Sequence, residues 1–368
     1  MHRLPLELRF LVFQGMERDS LRNCSLASKS WRDFCLPILF RGLKPINVLS
    51  IHQLEACSSL LTDSPYLRPH IRRVTFRCTS FPAYFGNKKQ RMLATILSEL
   101  SCLDELNCPS IISDTLSSVL PRLPITKLYL KLDTYSPPDP LPVLEAVAGT
   151  LRSLTLQDLK FSNQLTLDRF TTKIGSAPIC MTALEDLAVV SCVIPLASKL
   201  IRLPKLKTLY CEGEGVTLDD GVPSSLKTLV VPAGAKSVGG FEPRRVDNIC
   251  IRWRDSNIHP TDLKLTDTVQ HVVSALVVPS KIKHIEILLS WSNIVFRGNL
   301  VKLDRLEGYA LDLHRSGSLE RLTITVESDT LSHKSVFEGL PVLSSLGLLD
   351  VRIRQPSVLY PRCTNFSI

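Results

Sequence analysis

The pattern apolar-x-x-apolar-x-apolar returns eleven times between residues 71 and 351. It reads IRRVTF (71–76), LDELNC (103–108), ITKLYL (125–130), LRSLTL (151–156), LEDLAV (184–189) and LKTLYC (206–211). It continues as LKTLVV (226–231), VDNICI (246–251), IKHIEI (282–287), LERLTI (319–324) and LGLLDV (346–351). Successive units begin 20 to 37 residues apart. One unit is a short strand with an apolar approach, too small to enclose a core. Its apolar residues must therefore be buried against the next unit, which makes the chain a stacked array.

The second, third and fifth positions of the units decide the class of sheet. They are mostly polar: Arg72, Arg73 and Thr75, then Thr126, Lys127 and Tyr129, then Lys207, Thr208 and Tyr210. A doubly wound sheet is covered on both faces, and its strands read as unbroken Val/Ile runs. Here one face of the sheet is expected to meet solvent. The fold class expected is an α/β solenoid, a parallel sheet with one open concave face and helices or turns between strands. LEDLAVVSCVI (184–194) is similar to a leucine-rich repeat, with Cys192 where such repeats place Asn or Cys. LRSLTLQDLKF (151–161) carries Leu159 there, so the repeats are degenerate.

Helical stretches fall between some units. In TDTVQHVVSALVVP the residues Val269, Val272, Val273 and Leu276 form one stripe that stops at Pro279. In VKLDRLEGYALDLHRSG the residues Leu303, Leu306 and Ala310 share a face, and Gly317 suits a C-terminal cap. The units starting at 206, 226 and 246 leave room only for loops or single 3₁₀ turns.

The first forty residues follow a different rule. LPLELRFLVFQGM (4–16) reads as a helix with Pro5 in its first turn. Leu4, Leu8, Leu11 and Val12 make one apolar stripe, and Leu6, Phe10 and Phe13 make another on nearly the opposite side. Such a helix needs two surfaces to lie against. A second helix starts at DSLRNCSL with Asp19 or Ser20 as N-cap, and Trp31, Phe34 and Cys35 form a further stripe. Pro37 is expected to end or kink that last helix.

These residues resemble an F-box: Leu4-Pro5, Glu7-Leu8, LVF at 11–13, Ser20-Leu21, CSLASKSW at 24–31 and the closing Phe40. The CSLxSxSW version is similar to that of the large fungal families. The resemblance implies docking on the Skp adaptor, and through it on a cullin, with Leu4, Pro5, Leu8, Leu11, Val12, Leu21, Leu26 and Trp31 as adaptor-binding residues. The expected domains are an F-box at 1–41, a helical linker at 42–70 and degenerate leucine-rich repeats at 71–368. A generic helical cap sealing the next domain is the plainer alternative for the first forty residues.

No catalytic constellation stands out. C-x-x-C, H-x-x-x-H, H-E-x-x-H, G-x-S-x-G and phosphate-loop patterns are missing, so neither metal nor cofactor is expected. Cys102 and Cys108 lie close, but no second pair completes a zinc set. The eleven Cys are an odd number and read as reduced, buried thiols, which favours the cytoplasm or nucleus. No secretory leader or membrane span is expected from the apolar runs. EPRRV to IRWRD (242–255) reads as an insertion loop with a solvated charge run.

Residues 1–100 hold 15 Lys and Arg against seven Asp and Glu, so nearly all of the net charge of +9 sits there. A basic module suits an acidic partner. Along the expected concave face, however, signs alternate: Arg72 and Arg73, Asp104 and Glu105, Lys127, Arg152, then Glu185 and Asp186. A groove that follows phosphates should stay positive, so nucleic acid is disfavoured. The expected substrate-binding residues are Arg72, Arg73, Lys127, Tyr129, Arg152, Lys207, Tyr210 and Lys227, facing a protein target. Two readings stand: the substrate-recognition subunit of a ubiquitin ligase, non-catalytic itself, or a protein-binding scaffold outside any ligase.

Overall fold

Apolar residues at the first, fourth and sixth positions are buried in unit after unit along the chain. In a computed structural model the described residues are 6–41, 46–48, 50–76, 87–109, 114–131, 141–157, 178–190, 201–212, 225–232, 246–253, 262–276, 282–290, 303–327 and 339–354. Fourteen strands are described: β1 (Ile46–Val48), β2 (Arg73–Phe76), β3 (Glu105–Pro109), β4 (Lys127–Lys131), β5 (Ser153–Gln157), β6 (Ile179–Cys180) and β7 (Asp186–Val190). They continue with β8 (Ile201–Arg202), β9 (Thr208–Glu212), β10 (Thr228–Pro232), β11 (Asn248–Trp253), β12 (His284–Ser290), β13 (Arg321–Glu327) and β14 (Leu349–Arg354). Twelve of them form one parallel sheet in chain order, while β6 and β8 make a separate two-stranded ribbon.

Register puts like positions side by side. Fourth-position residues Leu187, Leu209, Leu229, Ile249, Ile285, Leu322 and Leu349 are Cα partners in succession. The row is buried throughout. A second device repeats at the strand entrances. The second-position carbonyl of one unit accepts both the second- and third-position N–H of the next. Arg72 receives Asp104 and Glu105 in this way, Lys207 receives Lys227 and Thr228, and Lys283 receives Glu320 and Arg321. The backbone groups at each bend are thereby satisfied without any side chain.

Ten of the eleven units bury all three apolar positions. The last does not. Leu346 is exposed, because it follows the short helix Pro341–Ser345, and Leu343 and Leu348 are buried in its place. The linker also differs from the helical expectation. Residues 46–48 form β1, which pairs in parallel with β2. Ile51–Asp63 and the 3₁₀ turn Pro65–His70 follow it.

The helices are α1 (Leu6–Gln14), α2 (Arg18–Ala27), α3 (Lys29–Arg41), α4 (Ile51–Asp63), α5 (Asn87–Glu99), α6 (Asp114–Val119), α7 (Leu141–Val147), α8 (Asp262–Leu276), α9 (Asp304–Arg315) and α10 (Pro341–Ser345). Three of the longer ones turn a stripe at helical spacing inward: Leu93, Ile96 and Leu97 on α5, Val269, Val272 and Val273 on α8, Leu306, Ala310 and Leu313 on α9. The turns expected after the units at 206, 226 and 246 lie largely outside the described residues, as does Cys192.

The chain divides into two compact units, residues 1–129 with 139–147, and residues 130–138 with 148–368. In the first unit, α1–α3 close on Phe13, Leu21 and Cys35, with Met16, Cys24, Trp31, Phe34, Ile38 and Leu39 packed against them. Phe13 meets Trp31 edge-on at 6.0 Å and stacks on Phe34 at 6.0 Å. One expectation is corrected here: α2 is capped by the backbone of Glu17, not by Asp19 or Ser20, which fall inside its first turn. Of the end or kink expected at Pro37, the end does not occur: α3 continues past it, and the burial of Cys35 and Leu36 beside it offsets the one hydrogen bond a proline cannot make.

In the second unit the sheet face formed by the fifth positions is not solvent-facing over β7–β11. Ala188, Tyr210, Val230 and Cys250 form a buried cluster, with Val190 and Leu288 packed against it. Their apolar character is the reason: that face has a core of its own, where an open surface was expected.

Candidate functional site

α1 resolves its two stripes by turning Phe13 inward. Leu8, Leu11 and Val12 remain exposed on its outer side, and Leu26 at the end of α2 is 76% exposed. Single exposed apolar residues are ordinary on a protein surface; here four fall on the two short helices α1 and α2. Of the other residues expected at the adaptor, Leu21 is buried in the bundle and Trp31 is half-buried against Phe13. Leu4 and Pro5 lie outside the described residues. Ser28 ends α2, its Oγ accepting the Trp31 N–H at 3.2 Å to cap α3. Arg32 donates from Nε to the Ser25 carbonyl at 3.2 Å and lies over the Tyr66 ring.

The expected substrate residues separate into three groups. Arg72, Arg73, Lys127, Arg152, Lys207 and Lys227 are exposed. Two of these are tied to acids of adjoining units: Arg73 to Glu105 at 3.6 Å, and Lys207 to Glu185 at 2.8 Å. The bonded Lys207 ammonium holds the Glu185 carboxyl below the usual carboxylate value. Tyr129 is half-buried. Tyr210 is a correction, because it is only 6% exposed and sits in the apolar cluster of β7–β11. Lys127 holds the third position of its unit, and Lys207 the second.

Two arrangements on the same face were not foreseen. Arg252 donates from Nη1 to the Tyr210 hydroxyl at 2.8 Å, with its guanidinium 6.0 Å from the centre of that ring. The segment around it, read as an insertion loop, is strand β11 from 248 to 253. The signal was present: Arg252 is the seventh position of the unit VDNICI, so it shares a face with Asn248 and Cys250. Further along, His284 Nε2 lies 2.7 Å from Thr323 Oγ1, and Thr325 donates to Glu286 at 2.8 Å. Thr323 and Thr325 are wholly buried. No sequence periodicity distinguishes such a network from solvated strand residues.

Burial, with Cys24 adding to it, pushes the Cys35 thiol up to about 11, so it stays protonated. Among the described residues no three His, Cys, Asp or Glu side chains are grouped to hold a metal ion. No described helix is long and apolar enough to cross a membrane.

Residues 1–39 match the F-box domain model. The match spans α1, α2 and most of α3, and it includes the exposed Leu8, Leu11, Val12 and Leu26. No curated protein matches the chain. The F-box therefore coincides with the one bundle that has both an aromatic centre and an apolar exterior among the described residues.

Proposed function

We propose that this chain is the substrate-recognition subunit of a Skp–cullin–F-box ubiquitin ligase. In this reading the F-box docks on the Skp adaptor, and the repeat region holds a protein target for ubiquitination. The single observation that carries it is the exposed set Leu8, Leu11, Val12 and Leu26 inside the F-box match. Leu21 and Trp31 support the bundle from within, while those four make the contact. The role is non-catalytic: the subunit brings two proteins together and leaves the chemistry to its partners.

The repeat region is read as degenerate leucine-rich repeats of fungal type in an open solenoid. Support comes from strands that follow chain order and from the aligned rows of apolar positions. The receptor surface is assigned to the exposed Arg72, Arg73, Lys127, Arg152, Lys207 and Lys227 with Tyr129. Their ion pairs with acids of adjoining strands give a surface of mixed sign, which selects protein partners more than it raises affinity. A cytoplasmic or nuclear location accords with this role.

The test is co-purification of the tagged full chain with the Skp adaptor. Leu8→Ala together with Leu11→Ala should abolish recovery of the adaptor. Truncations at such anchors cost on the order of 2 kcal/mol each. The circular dichroism of the chain should not change. Wild-type recovery of the adaptor by the double variant would refute the assignment.

A further inference from the structure

Arg252 is the one Lys or Arg at the third, fifth and seventh positions of strands β9 to β12. Its Nη1 is committed to Tyr210, but its Nε is buried and has no hydrogen-bond partner. A buried N–H of a charged group is among the most costly to leave unmet. The acid nearest in register does not supply the partner. Glu286 pairs with Cys250 across β11 and β12, diagonal to Arg252, and accepts from Thr325 instead.

We infer that Arg252 is the anchor for a carboxylate side chain, an Asp or Glu, of a protein segment bound on this face. Nε and its neighbouring Nη form the flat edge of a guanidinium, which matches the two oxygens of a carboxylate. Tyr210 fixes the orientation of that edge by its hydroxyl on one side and its ring beneath. The cluster of Ala188, Val230 and Cys250 keeps the surroundings dry, where a charge-assisted pair is strongest. Arg252 as a residue is half-buried, and its covered Nε edge is reached when a neighbouring side chain swings aside for the bound segment. A lone cation suits a monoanion better than a phosphate, which gathers several basic groups. This site is separate from the exposed basic residues of the proposed receptor surface, and it rests on the receptor reading only in taking a protein as partner.

The test uses the tagged full chain co-expressed with the Skp adaptor. The probe is an immobilised set of random peptides whose central residue is fixed as Glu, Gln, phosphoserine or Lys. Glu-centred peptides should be retained over Gln-centred ones by roughly tenfold, a decade in Kd. Arg252→Lys should erase that preference and Tyr210→Phe should reduce it, while Arg315→Ala, at the exposed end of α9, leaves it intact. If Arg252→Lys does not fold, judged by its melting curve, Tyr210→Phe carries the test. Equal retention of Glu and Gln peptides, a preference for phosphoserine over Glu, competition by single-stranded RNA, or insensitivity to both variants would overturn the inference. Adaptor recovery is read in the same sample. Loss of the adaptor with peptide selection intact overturns the ligase reading alone, and the reverse result overturns this site alone.

Discussion

Glu307 caps a helix that is not its own. It is buried on α9, and its Oε1 accepts the N–H of Val342 at 2.7 Å and of Leu343 at 3.0 Å, at the start of α10. Those two groups have no intrahelical partner, and a carboxylate at a helix N-terminus also meets the positive end of the dipole. Glu307→Ala should therefore cost roughly 1–3 kcal/mol in urea unfolding. Glu307→Gln, which keeps an acceptor oxygen, should cost less. His284 gives a pH-dependent case. Burial holds its pKa below the ordinary histidine value, with Arg321 and Arg352 acting in the same direction and Glu286 and Asp350 opposing them. The fold thus prefers the neutral ring bonded to Thr323. This contribution is full above the unfolded imidazole pKa of about 6.5, and it is lost as pH falls through that value toward the lower folded one. Melting temperature should fall between about pH 7.5 and 5.5, and His284→Gln should flatten part of that slope. An unchanged slope would mean that the ring is not the titrating group.

At the scale of elements, helix ends are where the chain's local chemistry is most exact. Gly317 follows α9 with φ of 77°, and its N–H bonds the His314 carbonyl while Ser318 N–H bonds that of Leu313. Gly347 repeats the arrangement after α10 with φ of 69°, bonding Ser344 and handing Leu348 to Leu343. The left-handed backbone, not lack of room, is what demands glycine, since no atom stands within 4 Å of a Cβ built at Gly317. Gly317→Ala should cost about 1–2 kcal/mol, measured as a shift of the urea midpoint. Gly317 was legible in the sequence as a C-cap, and so were the buried stripes of α8 and α9. Leu346 was not, because a six-residue pattern cannot tell a strand entrance from the last turn of a helix. The cap at Ser28 was equally readable in ASKSW, where a serine stands three residues before Trp31. The open sheet face failed for a related reason. Ala188, Val230 and Cys250 were already apolar, yet Tyr210 among them suggested a wet surface because tyrosine suits both environments.

For the whole molecule, rows rather than single contacts hold the sheet together. Leu229 is fully buried in the fourth-position row between Leu209 and Ile249. Leu229→Ala should cost about 2–5 kcal/mol. Leu346→Ala, at the same kind of residue but 54% exposed, should stay within about 0.5 kcal/mol. Comparable losses for both would mean the row does not carry the core. The order of the twelve strands has a consequence for synthesis. Each strand's partner has just been made when the strand itself emerges from the ribosome. Among the described strands of the large sheet none has to wait for a distant one, so loop-closure entropy stays small at each step. The nascent chain can zip shut behind the ribosome as it lengthens, and the F-box helices, which precede the strands, are free to fold before the last strand exists.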